Sequence, residues 1–155
     1  LTHDLGKGTT PADILPRHHG HETRSVALAT ELCARLKVPG EARDLALLTA
    51  RWHGDIHRGR ELRPATVVSV LEKTDALRRP ERFEQLLQAC QCDFQGRLGR
   101  EDAPYEMPAF FLAALAAARG VDAGAIARGC ADKAAIPERV HAARVAAVKA
   151  LSNEA

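Results

Sequence analysis

Apolar residues recur at helical spacing along most of this chain, and that periodicity limits its possible folds more than any other feature. Val26, Ala29, Leu32, Cys33 and Leu36 mark one face of residues 21 to about 37. Leu45, Leu48, Trp52 and Ile56 do the same from 41 to about 57. After Pro64, a residue suited to a first helical position, Val67, Val70, Leu71, Thr74 and Leu77 carry a third helix to about 79, with Asp75 on it. Pro80 then forces a break and starts a fourth, striped by Phe83, Leu86, Leu87, Cys90 and Phe94. Further helices are predicted at about 107–119, 123–131 and 137–151, with residues 9–20 and 96–108 as connections. No strand-like alternation and no internal repeat is visible, so the predicted class is all-α.

Composition agrees with that class. The chain has 155 residues, 46% hydrophobic and 27% charged, enough for a real core and far from the composition of a disordered segment. Aromatics are only 4%, which favours small-residue helix packing over a strand-rich fold. A formal charge of +2 permits an RNA or phosphate partner without requiring one. Cys33, Cys90, Cys92 and Cys130 have no CxxC or zinc-finger spacing and read as reduced, packed thiols of a cytoplasmic protein. No signal peptide is visible, and no apolar run is expected to reach membrane-spanning length.

The chemistry concentrates near the start, in His3-Asp4-Leu5-Gly6-Lys7-Gly8. If Gly6 ends a helix, Asp4 lies in the last turn, where the macrodipole disfavours an unpaired carboxylate and a bound cation would repair the mismatch. Six of the seven histidines precede residue 58. His3, His21 and His53 fall at helix ends, where side chains from different elements can converge. Imidazole and carboxylate together suit Mn, Fe, Co, Ni or Zn. Asp75 is the next acidic candidate, although its spacing also allows pairs with Arg78 or Arg79. Asp93 and Arg97, four apart, read as partners of one another. Lys7 between two glycines offers a cation to a phosphate, and His141 reads as a surface residue.

Four segments in this order resemble one family: His3 to Gly8, Pro16-Arg17-His18-His19-Gly20-His21-Glu22, Asp75 to Arg82, and Asp93-Phe94-Gln95-Gly96-Arg97. They are similar to the C-terminal half of bacterial tRNA nucleotidyltransferases, the CCA-adding enzymes in their multifunctional form, with an appended domain of the HD phosphohydrolase superfamily. The resemblance implies an HD-domain helical bundle over 1–97, truncated at its N-terminus, and a C-terminal helical extension over 98–155. It implies a divalent metal (Ni, Mn, Mg, Co or Zn) on His3, Asp4 and Asp75. Asp4, Lys7, His21 and His53 are implied as catalytic, with His21 and His53 holding a second metal or the substrate phosphate. His18 or His19 could replace His21.

The implied activity is metal-dependent hydrolysis of 2′,3′-cyclic phosphates, 2′-nucleotides and phosphomonoesters, in a parent enzyme that adds or repairs the tRNA 3′ CCA end. The implied partners are tRNA and an N-terminal nucleotidyltransferase domain. The pattern's first histidine is expected on a helix upstream of Leu1. A helical tRNA-binding module without hydrolytic activity is the competing reading, and a separate HD-type nucleotide phosphohydrolase is a third. Ala-rich faces leave packing within the chain or across a homodimer open.

Overall fold

A computed structural model describes residues 2–151. Among these the fold is all-α, without a strand. The α-helices are α1 (His21–Arg35), α2 (Gly40–His57), α3 (Pro64–Lys73), α4 (Pro80–Gln95), α5 (Met107–Arg119), α6 (Ala123–Arg128) and α7 (Ile136–Leu151). Short 3-10 turns stand at Leu5–Thr9, Gly59–Glu61 and Lys133–Ala135.

The chain divides into two compact units, each discontinuous in sequence. One holds the residues up to His57 with Gln85–Ala103, and the other holds Arg58–Glu84 with the residues after Ala103. This division cuts across the 1–97 and 98–155 segments that the motifs suggest.

In the first unit α1 packs on α2 and on the Leu5–Thr9 turn. Ala29 and Cys33 of α1 and Ala50, His53 and Ile56 of α2 are buried, as are Leu86, Leu87 and Cys90 of α4. Two sequence expectations change here. Leu36 is exposed, because α1 ends at Arg35. His3 and Asp4 do not end a helix: they precede the 3-10 turn, with Asp4 at its N-cap position. Gly6 is therefore not a helix terminator. Its need for glycine is close approach, since a Cβ there would stand 2.3 Å from the His21 carbonyl oxygen and 2.6 Å from the Ser25 nitrogen.

In the second unit α3, α5 and α7 pack on one another. Val67, Val68, Val70 and Leu71 of α3 are buried, with Phe111, Ala114, Leu115 and Ala118 of α5 and Val140 and Val148 of α7. Phe83 meets Phe111 edge-on with ring centroids 6.0 Å apart. Contrary to the sequence expectation, the stretch Met107–Arg128 is long and apolar enough to cross a membrane, 18 of its residues in a row having a mean hydropathy of 1.5. It is two helices here, and α5 places four side chains in the core of its unit.

The third helix stops six residues sooner than its apolar spacing suggests. Thr74 Oγ1 donates to the Val70 carbonyl, and Asp75 follows with φ +59°, a left-handed conformation that Asp tolerates better than most residues. Nor is His141 a free surface residue. Its Nδ1 donates to Glu72 Oε2 at 2.8 Å while Arg144 Nη1 donates to Glu72 Oε1 at 2.8 Å, tying α3 to α7.

Burial alone would raise the Glu72 carboxyl, but the hydrogen bonds from His141 and Arg144 outweigh it and hold the carboxyl below its ordinary value of 4.5. The stabilisation from this pair is thus fully present above that value and is lost as pH falls through the lower folded-state one. Glu72→Gln is expected to lower the urea midpoint at pH 7, and the gap to the parent chain should close as pH drops below 4.5. An equal gap at pH 7 and pH 3 would contradict this.

Candidate metal centre

Two histidines from neighbouring helices are locked in the same tautomer by backbone carbonyls. His53 Nδ1 faces the Thr49 carbonyl oxygen one turn back on α2 at 3.0 Å. His21 Nδ1 faces the His18 carbonyl oxygen at 2.9 Å, with Glu22 Oε2 at 3.4 Å. A carbonyl only accepts, so each Nδ1 carries a proton, and the neutral form of each ring turns an Nε2 lone pair outward. Those two Nε2 atoms stand 3.2 Å apart. Asp4 Oδ1 lies 3.4 Å from the first and 3.5 Å from the second. With both rings in that neutral form, three acceptor atoms face a common point.

His3 adds a fourth side chain. Its Nε2 lies 3.4 Å from Asp4 Oδ2 and 3.2 Å from Asp93 Oδ1. His3 Nε2 and Asp4 Oδ1 are both buried without a hydrogen-bond partner, and one ligand atom each from His3, Asp4 and His53 falls within 4.8 Å of the others. A tetrahedral ion with ligands at ~2.1 Å separates them by roughly 3.4 Å. The donor set and its spacing therefore fit a divalent cation, and a single shared proton would relieve only one of the contacts.

The charges around the point favour the ligand forms. Burial would raise the Asp4 carboxyl, but the Lys7 ammonium, bonded to Asp4 Oδ2 at 2.6 Å, and the neighbouring His3 hold it below the usual carboxylate range. Burial, and next the charge of His3, push the His53 imidazole below its ordinary value, so it is neutral at pH 7. Burial likewise lowers His57, against the opposing hydrogen bond from its Nε2 to Asp93 Oδ2 at 2.8 Å. Asp93 is raised by burial but lowered further by Arg97, whose Nη2 donates to Oδ2 at 2.8 Å.

Of the residues expected from sequence, His3, Asp4, His21 and His53 come together, and Lys7 joins them through Asp4. The ring of His18 does not: its Nδ1 meets Thr10 Oγ1 at 2.8 Å, and it serves the site through its carbonyl. His19 is exposed and contributes its carbonyl to Arg24. Asp75 lies in the second unit, where its carboxylate faces Arg78, Arg79 and Arg82 at 3.8, 3.6 and 3.9 Å, a pairing that its spacing also allows. The second carboxylate at His3 is Asp93.

Asp93 and His57 are residues that sequence reasoning does not place in the site, although Asp93 does pair with Arg97 as its spacing predicts. Both had a signal. Asp93 continues the buried stripe Phe83, Leu86, Leu87, Cys90 of α4, and His57 follows His53 by one turn on α2, so each puts a polar group in core register. A groove of about 620 Å³ opens beside them, walled by Leu45, Ala46 and Thr49 of α2 and Ala89 and Cys92 of α4, with His3, Asp93 and Arg97 at its polar end.

Comparison with known proteins places the chain. It is 66% identical over 151 residues to the multifunctional CCA protein of Dechloromonas aromatica, covering 97% of this chain and 37% of that protein. It is 61% identical over 150 residues to the one of Aromatoleum aromaticum, covering 97% of this chain and 37% of that protein, and 63% identical over 149 to the one of Cupriavidus taiwanensis, covering 96% and 36%. The chain belongs to the multifunctional CCA protein family. It spans little more than a third of the length of these relatives and corresponds to their C-terminal portion. No family model matches it, and no solved structure does.

What holds His3 and Asp4 of this CCA-family chain in place is the packing of Gly6 on α1. The Gly6 amide donates to the buried Ser25 Oγ at 2.8 Å, and Arg24 donates to the carbonyls of Gly6 and His19 and to Thr10 Oγ1. Gly6→Ala would push a methyl group into two backbone atoms, neither able to swing away. A loss of about 2 kcal/mol or more is expected in denaturant unfolding, while Gly8→Ala, with nothing near its added carbon, should be close to neutral.

Proposed function

We propose that this chain is the HD phosphohydrolase portion of a tRNA nucleotidyltransferase, and that it hydrolyses phosphate esters at a divalent metal held by His3, Asp4, His21 and His53. The observation that carries this reading is the convergence of two tautomer-locked Nε2 lone pairs with an ionised carboxylate. Mn, Ni, Mg, Co and Zn are the ions this mixed nitrogen and oxygen set admits.

When bound, such an ion supplies an acidified water and a positive centre for a phosphoryl oxygen. The protein's own part is orientation and charge. Thr49 and His18 fix the two rings through their carbonyls, the way supporting hydrogen bonds set the direction and basicity of histidine ligands. Lys7 keeps Asp4 ionised, so the carboxylate can bind or can take a proton from the attacking water. Asp93 adds a second carboxylate to this arrangement. It stands beside His3 and is itself held by His57 and Arg97. Arg97 is half exposed at the mouth of the groove, where its remaining N–H groups can offset charge on a phosphate. The groove has room for the organic part of an ester, within the ~300–1,000 Å³ usual for small-molecule sites.

The substrate classes in keeping with this site are 2′,3′-cyclic phosphates, 2′-nucleotides and other phosphomonoesters. The parent protein's work of adding or repairing the tRNA 3′ CCA end belongs to sequence outside this chain, and tRNA is its partner. A helical tRNA-binding role is the second reading; it is compatible with the first and does not account for the buried, unpartnered Asp4 Oδ1 and His3 Nε2.

The test is hydrolysis of 2′,3′-cyclic AMP with Mn or Ni, alongside metal content. Asp4→Ala should remove both activity and bound metal, and Asp93→Asn should lower activity by roughly 10–100-fold. Full activity in Asp4→Ala, or activity unaffected by a chelator, would rule the reading out.

A further inference from the structure

Outside the metal centre, the turn between α3 and α4 gathers cationic side chains around one carboxylate. From Lys73 to Arg82 the chain has four cationic side chains, Lys73, Arg78, Arg79 and Arg82, against Asp75 and Glu81, an excess as large as the +2 of the whole protein. The neighbouring carboxylate, Glu72, does not dilute it, because His141 and Arg144 already occupy both of its oxygens.

The turn is built rather than loose. Asp75 adopts its left-handed conformation, its carbonyl accepts from the amides of Arg78 and Arg79, and the Ala76 amide donates to the Leu71 carbonyl. Arg82 is anchored by a bond from Nη2 to the Thr74 carbonyl at 3.2 Å, and its Nε is buried without a partner. Arg78 and Arg79 extend outward, 80% and 60% exposed. All three guanidinium groups surround one carboxylate at 3.6 to 3.9 Å, too far for direct hydrogen bonds. Asp75 thus gathers the arginines without using up their donors.

We infer that this turn is a docking surface for the phosphodiester backbone of RNA, with Arg78, Arg79 and Arg82 as phosphate contacts and Asp75 as the internal counter-charge that holds them in readiness. The inference rests on the reading above that the chain works on an RNA enzyme's substrate. Exposed guanidinium groups on a projecting turn suit an extended polyanion better than a single small anion, because each isolated contact is weak in water and salt. Planar donors held in advance also lose less freedom on meeting phosphate oxygens.

Binding of a tRNA transcript lacking its CCA end, measured across a salt series, tests this. Arg78→Ala with Arg79→Ala should weaken binding about ten-fold at moderate salt and flatten the log K against log salt slope by about 1.5 to 2. Asp75→Asn should tighten binding several-fold, since Asn keeps the left-handed backbone and removes the competing charge. The control is Arg35→Ala with Arg119→Ala, which removes the same charge elsewhere and should do far less. Equal losses in the control pair and the turn pair, no change in the turn pair, weaker binding by Asp75→Asn, or arginine-dependent binding to anionic vesicles without RNA binding would each overturn the inference. Failure of the unaltered chain to bind tRNA even at low salt would overturn it together with the RNA partner. Hydrolysis of 2′,3′-cyclic AMP, assayed separately, reports on the metal centre alone.

Discussion

The contact between Gly6 and α1 is the constraint on which the site depends. The Gly6 amide reaches Ser25 Oγ at a distance where no side chain fits, and Arg24 binds the same segment at Gly6 and Thr10 and the chain before α1 at His19. That packing brings His3 and Asp4, which lie in no regular helix, against His21 and His53. Without it the histidines would face each other and the carboxylate would be solvent-exposed on a free segment.

Within the frame so formed, backbone carbonyls do the electrostatic work. Each takes the Nδ1 proton of a histidine and so commits the opposite nitrogen to the role of acceptor. Three acceptors facing one point repel one another unless a cation lies between them. The same reasoning makes Lys7 a companion of Asp4: its ammonium, 2.6 Å away, keeps the carboxylate charged at the cost of its own freedom to meet a phosphate.

Asp75 and Asp93 show how far a motif reads through to a site. Both are acidic residues within recognisable segments, and linear spacing treats them alike. Their neighbours in space do not: Asp75 sits on a left-handed turn among three arginines, whereas Asp93 continues the apolar stripe of α4 and is turned toward His3 and His57. The stripe itself was legible, since Phe83, Leu86, Leu87 and Cys90 are all buried as their spacing requires. What it implied for the next polar residue in register was also there to be seen.

The all-α class, the helix starts at Pro64 and Pro80, most of the core faces, and the family were determined by the sequence alone, because apolar period, proline geometry and ordered motifs are local properties. The end of α3, the pairing of His141 with Glu72, the neighbours of the two aspartates and the tautomers of His21 and His53 were decided only by the tertiary structure. Each of these depends on which groups from distant segments become neighbours, and a carboxylate or an imidazole takes its charge and its role from those neighbours.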